Sequence, residues 1–92
     1  MPKSLAFQER VAAKIQADQP GTAIALYREM IEAAIDRRGR DNYRRATQYL
    51  QTVQYLYEQL QQQDTCQQYV QHLRTQHNNL PALKQKLSKA GF

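Results

Sequence analysis

The sequence has no tryptophan, one cysteine and three glycines, and these shortages exclude several classes of protein. Because Cys66 stands alone, it cannot form a disulfide within the chain, which argues against a disulfide-stapled secreted domain. No stretch approaches the roughly 20 apolar residues that a membrane-spanning helix needs. Residues 1–8 also lack the apolar run of a signal peptide. We therefore expect a cytoplasmic protein with no membrane partner.

Catalytic and metal-binding patterns are also missing. Cys66, His72 and His77 are the candidate groups, but histidines five residues apart on a helix point about 140° away from each other and cannot share a metal ion. A Cys/His nucleophile pair would further need an oxyanion site, and no glycine-rich loop offers one. We expect His77 to pack or cap near the end of its helix. The sequence thus predicts no enzymatic activity, no metal and no cofactor.

The sequence does contain two ladders of apolar residues with helical spacing. Spacings of three and four residues recur along each ladder, which places its members on one stripe of an α-helix. The first ladder is Ala23, Leu26, Tyr27, Met30, Ile31, Ala34 and Ile35, and the second is Tyr43, Ala46, Leu50, Val53, Tyr57 and Leu60. Two amphipathic helices joined by a short polar turn predict a helical hairpin.

Turn residues set the expected limits of the first two helices. Ser4 is a candidate cap for the first helix. Pro20 fits the first turn of the second helix, where its missing N–H has no partner to lose. That helix should run to about Asp36, with Gly39 as a left-handed C-terminal cap. The apolar positions of the first helix are Leu5, Phe7, Val11, Ala12 and Ile15.

Three more helices are expected after the polar turn. Asp41 is a candidate cap for the third helix, which should end within residues 61–63. The fourth should begin at Asp64 or Thr65 and end near Asn78, and the fifth should run from Pro81 to Gly91. The expected apolar side of the fourth helix is Cys66, Tyr69, Val70, Leu73 and His77, and that of the fifth is Leu80, Leu83 and Leu87.

The predicted fold is all-α, with about five helices packed as antiparallel hairpins in one domain over residues 1–92. Short connections make consecutive helices pack antiparallel. Two architectures share this periodicity: a tetratricopeptide-like helical-repeat stack and a small bundle. Ninety-two residues allow one domain, and the chain is either a stand-alone domain or a fragment of a larger protein.

A dense basic cluster follows the second helix. Five arginines fall within nine residues, interleaved with Tyr43, and we call these five the arginine turn: Arg37, Arg38, Arg40, Arg44 and Arg45. Guanidinium groups bind phosphates and carboxylates through paired hydrogen bonds, and an exposed tyrosine can stack on a base. Asp36 and Asp41 flank the cluster and offer the alternative that these charges are partly neutralised. The turn is a candidate phosphate- or partner-binding site.

Two tyrosines lie off the main stripe of the third helix. Tyr49 precedes Leu50 and is expected to widen the core face. Tyr55 is expected to be exposed, and tyrosine is common at protein interfaces, so Tyr55 is a candidate partner contact. The abundant glutamines of residues 48–76 interrupt neither ladder, and we interpret them as the solvated faces of helices.

Residues 26–87 resemble the C-terminal helical region of bacterial SWIM-type zinc-finger proteins. The similarity consists of helix-packing patterns: Tyr43-Ala46-Tyr49-Leu50, Leu56-Tyr57-Leu60, Leu73-Arg74-His77 and Pro81-Ala82-Leu83. The zinc motif of that family, a Cys-x-Cys followed by Cys-x-His, is absent here. The resemblance therefore implies a helical interaction scaffold, without the family's zinc.

Two functions fit these patterns. The first is a non-enzymatic scaffold that binds another protein or a second copy of itself as a homodimer, holding an apolar or acidic segment against stacked helices. The alternative is a small nucleic-acid binder that uses the arginine turn, in keeping with a net charge of +5 and the lack of acidic residues after Asp64. The two differ in salt dependence, because phosphate binding weakens steeply as salt rises.

Overall fold

A computed structural model describes the backbone of residues 5–92 and the side chains of residues 8–92. Within that range the chain forms five α-helices and no strand, which confirms the predicted all-α fold. They are α1 (Leu5–Ile15), α2 (Pro20–Arg37), α3 (Arg40–Gln59), α4 (Gln63–Gln76) and α5 (Pro81–Lys89). The predicted cap Ser4 and the side chains of Leu5 and Phe7 lie outside the described residues.

The core lies mainly between α2 and α3, where the two apolar ladders face each other. Met30 on α2 and Leu50 and Val53 on α3 are fully buried. Leu26 and Leu60, at the edges of the ladders, are only partly buried. Tyr49 is buried too, at 4% exposure, so the predicted widening of the core face is correct. The predicted hairpin is therefore the centre of the fold.

The other helices pack around this hairpin. α1 packs against α2, and α4 and α5 both pack against α3. The resulting small bundle measures 36 × 35 × 18 Å, so its thinnest dimension is about two helix diameters. Its relation to helical repeats stays a prediction. Across residues 5–92, no helix combines the length and the apolar character needed to cross a membrane.

The connection between α2 and α3 differs from the expected caps. Gly39 is the residue before α3 rather than a left-handed cap of α2, and Arg38 closes α2 by donating its N–H to the Ile35 carbonyl at 3.0 Å. Asp41 lies inside the first turn of α3 and makes no cap, so that prediction was wrong. Asn42 Nδ2 donates instead to the Arg38 carbonyl at 2.7 Å and holds the turn.

Gly39 is the residue that this two-residue connection most depends on. Its φ of +100° and ψ of 153° lie in a region that is essentially restricted to glycine. We expect Gly39→Ala to lower the free energy of unfolding by about 1–3 kcal/mol in urea melts. The matched control is Gly21→Ala, because Gly21 lies in α2 with no atom within 4 Å of the added methyl group. That substitution should stabilise by about 0.5–1 kcal/mol, and equal effects at both sites would contradict this view of the turn.

Candidate functional site

The fold brings the arginine turn together at one end of the α2–α3 hairpin. Arg37 is the last residue of α2, Arg38 lies in the connection, and Arg40 begins α3. Arg44 and Arg45 follow within the next two turns of α3, and all five side chains are exposed. The short connection and the antiparallel helices thus concentrate five guanidinium groups on one tip of the bundle.

These arginines have few partners within the molecule. Arg44 Nη2 lies 3.5 Å from Asp41 Oδ1, but the two side chains are 60% and 93% exposed. An ion pair that exposed contributes at most about 1 kcal/mol. Within residues 8–92, Arg37, Arg38, Arg40 and Arg45 make no ion pair and no side-chain hydrogen bond. The two flanking aspartates therefore leave most of the cluster available to an external anion.

Tyr43 lies in the core and not on the exposed tip with the arginines. The residue is 5% exposed and belongs to the core, and its carbonyl accepts a hydrogen bond from Thr47 Oγ1 at 2.8 Å. A ring in that position has no open face on which a base could stack. Burial therefore argues against stacking of a base on Tyr43, because its place in the apolar ladder of α3 decides its burial. Its part in phosphate or partner binding stays a prediction.

Tyr55 lies on the surface of α3, as expected. At 54% exposure it is the one large apolar or aromatic side chain found exposed in the described part of the chain. Its contact with a partner stays a prediction.

Cys66 and the two histidines do not form a common site. Cys66 is 4% exposed, and burial raises the pKa of its thiol, which disfavours the nucleophilic thiolate. His72 is exposed. His77 closes α4 through its N–H to the Leu73 carbonyl at 3.0 Å, and its Nε2 lies 3.3 Å from Glu32 Oε2. Among residues 8–92, no group of three or more histidine, cysteine or carboxylate side chains is arranged to hold a metal ion.

Sequence reasoning missed the polar contacts that join α2 to α4. The guanidinium carbon of Arg28 lies 4.3 Å from the centre of the Tyr69 ring, a cation–π distance. Glu32 and His77 meet although 45 residues separate them along the chain. No local spacing rule relates residues so far apart, so these pairs become visible only in the folded chain.

Two buried tyrosine hydroxyls, those of Tyr49 and Tyr69, have no hydrogen-bond partner among the side chains of residues 8–92 or the backbone of residues 5–92. Burial raises the pKa of Tyr49 to about 12, and the nearby Glu9 carboxylate adds to the shift. Burial likewise raises the pKa of Tyr69, with the Glu32 carboxylate as a second cause. Both hydroxyls are thus held neutral far above neutral pH, and neither is poised as a base.

The raised tyrosine pKa values predict a loss of stability in alkali. Below pH 10 both the folded and the unfolded chain keep these protons, whereas between pH 10 and about 12 only the folded chain keeps the proton of Tyr49. Because the folded state then binds more protons, the free energy of unfolding should fall with rising pH, by about 3 kcal/mol for Tyr49 across this range, and the raised pKa of Tyr69 adds to the fall. Urea melts at several pH values measure this. Tyr49→Phe should reduce this pH dependence, leaving the part that comes from Tyr69, without loss of stability at neutral pH, and an unchanged slope would contradict the assignment.

A groove between α3, α4 and the end of the chain was also missed. It is open to solvent and measures about 780 Å³. Five glutamines line it: Gln54, Gln63, Gln67, Gln68 and Gln71. Glu58 and Asp64 add two carboxylates, and Cys66, Val70 and Phe92 add apolar surface. We call this site the glutamine groove. Sequence reasoning treated its glutamines as plain solvated surface, because nothing in their spacing shows that two helices converge there.

Comparison with known proteins adds no assignment: no protein-family model matches the chain, and neither a curated protein nor a solved structure does.

Proposed function

We propose that this protein is a non-enzymatic helical scaffold that binds an acidic segment of a protein partner through the arginine turn. The observation that carries the proposal is the presence of five exposed guanidinium groups on one tip, which make a single weak carboxylate contact within the described part of the chain. Guanidinium groups bind carboxylates through two parallel hydrogen bonds, which gives geometric specificity as well as attraction.

The composition of the remaining surface supports polar recognition. Stable apolar docking needs a contiguous patch of exposed apolar side chains. In residues 8–92 Tyr55 is the one large side chain of this kind that is exposed, and a single residue is not a patch. A partner is therefore bound mainly through charged and hydrogen-bonding groups. The densest group of side chains with the same charge is the arginine turn.

The backbone at the turn also supports a functional use of these arginines. Arg38 has φ +59° and ψ 171°, a conformation that costs a non-glycine residue about 1–3 kcal/mol. Arg40 begins α3, where the helix macrodipole disfavours a positive charge. Residues whose backbone conformation or charge conflicts with the preference of the local structure tend to occur at functional sites.

Nucleic acid is the second candidate partner. The net charge of +5 and the absence of acidic residues after Asp64 favour it, because phosphate contacts depend on accumulated positive charge. Against it, Tyr43 is buried and offers no ring face on which a base could stack. An acidic peptide can approach one tip of the bundle, whereas a nucleic-acid backbone needs a longer basic track.

A relationship to the helical region of bacterial SWIM-type proteins, with a cytoplasmic location, forms part of this proposal. Its support is that Tyr43, Ala46, Tyr49 and Leu50, the residues of the most similar segment, are all core residues of the hairpin. A shared packing pattern of this kind is consistent with a shared scaffold role.

Binding can be tested by fluorescence anisotropy with a labelled oligoglutamate peptide and with labelled single- and double-stranded oligonucleotides, at low and at physiological salt. The proposal predicts saturable peptide binding that exceeds oligonucleotide binding at physiological salt. Tighter oligonucleotide binding, with a steep salt dependence, would establish the nucleic-acid alternative instead.

Arg38 offers a sharper test, because binding and stability should change in opposite directions. Arg38→Gly removes one guanidinium group and relieves the backbone, so peptide affinity should fall about 2- to 5-fold while the free energy of unfolding rises by about 1 kcal/mol. In the control variant, Arg38→Ala, peptide affinity should fall by the same factor, but the free energy of unfolding should not rise. A glycine variant that binds as well as the original protein would exclude Arg38 from the site.

A further inference from the structure

The glutamine groove has the chemistry of a receptor for guanidinium groups. A guanidinium group presents five N–H donors and no acceptor, so it requires a site rich in acceptor oxygens. The five glutamine amides and the carboxylates of Glu58 and Asp64 supply such oxygens, and none of the residues 8–92 that line the groove is a lysine or arginine. Its charged lining groups are therefore all negative.

The apolar part of the groove suits the flat face of the same group. Phe92 is only partly buried and provides the accessible apolar surface, whereas Val70, at 8% exposure, forms the floor beneath it. Phe92 is fixed in place, since its N–H donates to the Leu87 carbonyl at 2.8 Å and its main-chain oxygen accepts from Arg74 Nη1. A planar guanidinium can stack on an aromatic or apolar surface while its edges bond to acceptors.

The arginine turn and the glutamine groove lie at opposite ends of α3. The turn occupies the first residues of this 20-residue helix, and Gln54 and Glu58 lie in its last two turns. At 1.5 Å per residue the two sites are separated by about 25 Å along the helix. One molecule cannot join them, but two molecules can, because the exposed guanidinium groups of one complement the acceptors of the other.

We infer that the arginine turn of one copy docks in the glutamine groove of a second copy. This inference rests on the proposed function, and it identifies the acidic segment as Glu58 and Asp64 of another molecule of the same chain. Because the two contacting surfaces differ, the contact is head-to-tail and leaves a free turn and a free groove at the ends. The assemblies should grow as the protein concentration rises, and they should dissociate as the salt concentration rises, since exposed charges form the contact.

Sedimentation equilibrium over a range of protein concentrations tests the association itself. At low ionic strength the weight-average mass should rise above 10.8 kDa as concentration increases, and it should fall back towards 10.8 kDa at high salt. A mass that stays at 10.8 kDa at every concentration in low salt would overturn the inference.

Two complementary variants test which surfaces meet. The groove variant is Glu58→Lys with Asp64→Lys, and the turn variant replaces the five arginines of the turn by glutamine. Each variant alone should stay monomeric, because one half of every contact is missing. An equimolar mixture should form a 1:1 dimer that cannot grow, since the groove variant supplies the only turn and the turn variant the only intact groove. A mixture that stays monomeric, or a groove variant that associates by itself, would overturn the inference.

A control variant separates the groove from charge in general. Asp18→Lys with Glu29→Lys changes two exposed carboxylates that line neither site, and this variant should associate as the unmodified protein does. Loss of association in this control to the same extent as in the groove variant would overturn the assignment to the groove. Urea melts of all variants should show an intact fold, because the substituted side chains are exposed.

The same variants distinguish the inference from the proposed function. If the unmodified protein is monomeric but binds oligoglutamate through the arginine turn, the self-docking inference is wrong and the proposed function stands. If neither association nor peptide binding occurs, both are wrong. Binding of a labelled oligoarginine peptide to the turn variant, and not to the groove variant, would be the direct signature of the groove as an arginine receptor.

Discussion

Replacing Leu50 by alanine is expected to lower the free energy of unfolding by about 2–5 kcal/mol. Leu50 is fully buried in the middle of α3, where the two apolar ladders meet. The substitution removes buried methyl groups and leaves a cavity that the surrounding helices can only partly fill. A chain of this size has a total stability of about 5–14 kcal/mol, so the loss is a large fraction of it.

Urea or thermal melts measure this effect. In a domain of this size each kcal/mol shifts Tm by about 4–8 °C, so Tm should fall by about 10 °C or more. The matched control is Gln51→Ala, one position along the same helix but exposed, which should change stability by less than about 0.5 kcal/mol. A cost below about 1 kcal/mol for Leu50→Ala would place Leu50 outside the core and contradict the hairpin packing.

Neutralising the arginine turn should largely abolish binding of an acidic partner. If each of five exposed contacts contributes about 0.5 kcal/mol, replacing all five arginines by glutamine should weaken binding about 60-fold at low salt. Stability should change little, because these side chains are exposed and only Arg44 makes an ion pair within the described part of the chain. Peptide titrations followed by anisotropy, with urea melts beside them, measure both quantities.

The control for this variant removes the same charge elsewhere. Both variants lose five positive charges, which removes the formal net charge of +5. Any difference in peptide affinity between them therefore reports the position of the charges and not their total. The control substitutes glutamine at five cations outside the turn: Arg10, Lys14, Lys84, Lys86 and Lys89. This variant should keep peptide affinity within about 3-fold, through loss of long-range attraction only. Equal losses in both variants would show that binding is a non-specific response to net charge.

The hairpin could be predicted from the sequence because its signal is local. Apolar residues that recur every three or four positions identify a helix and its buried face without reference to the rest of the chain. The positions of Tyr49, next to Leu50, and of Tyr55, off the stripe, also led to the expected burial of the first and exposure of the second. Boundaries were less predictable: Asp41 had the right chemistry for a cap, but Asn42 holds the turn instead.

The candidate site could be predicted only in part, for two physical reasons. A cluster of arginines close in sequence stays close in space, so its position and exposure followed from the turn. Tyr43 belongs to both the basic cluster and the apolar ladder, and burial in the core decided between them. The glutamine groove depends on how α3 and α4 converge with Phe92. Such a tertiary arrangement leaves no periodic signal in the sequence.

We propose the arginine turn as the surface that receives an acidic partner. NMR chemical-shift mapping tests it most directly, by titrating an oligoglutamate peptide into the ¹⁵N-labelled protein and following the backbone amides together with the arginine Nε–H signals. The largest saturable shifts should fall on residues 37–45, whereas the signals of the exposed face of α5 should change little. Shifts concentrated on α5, or spread evenly over all cationic residues, would contradict it.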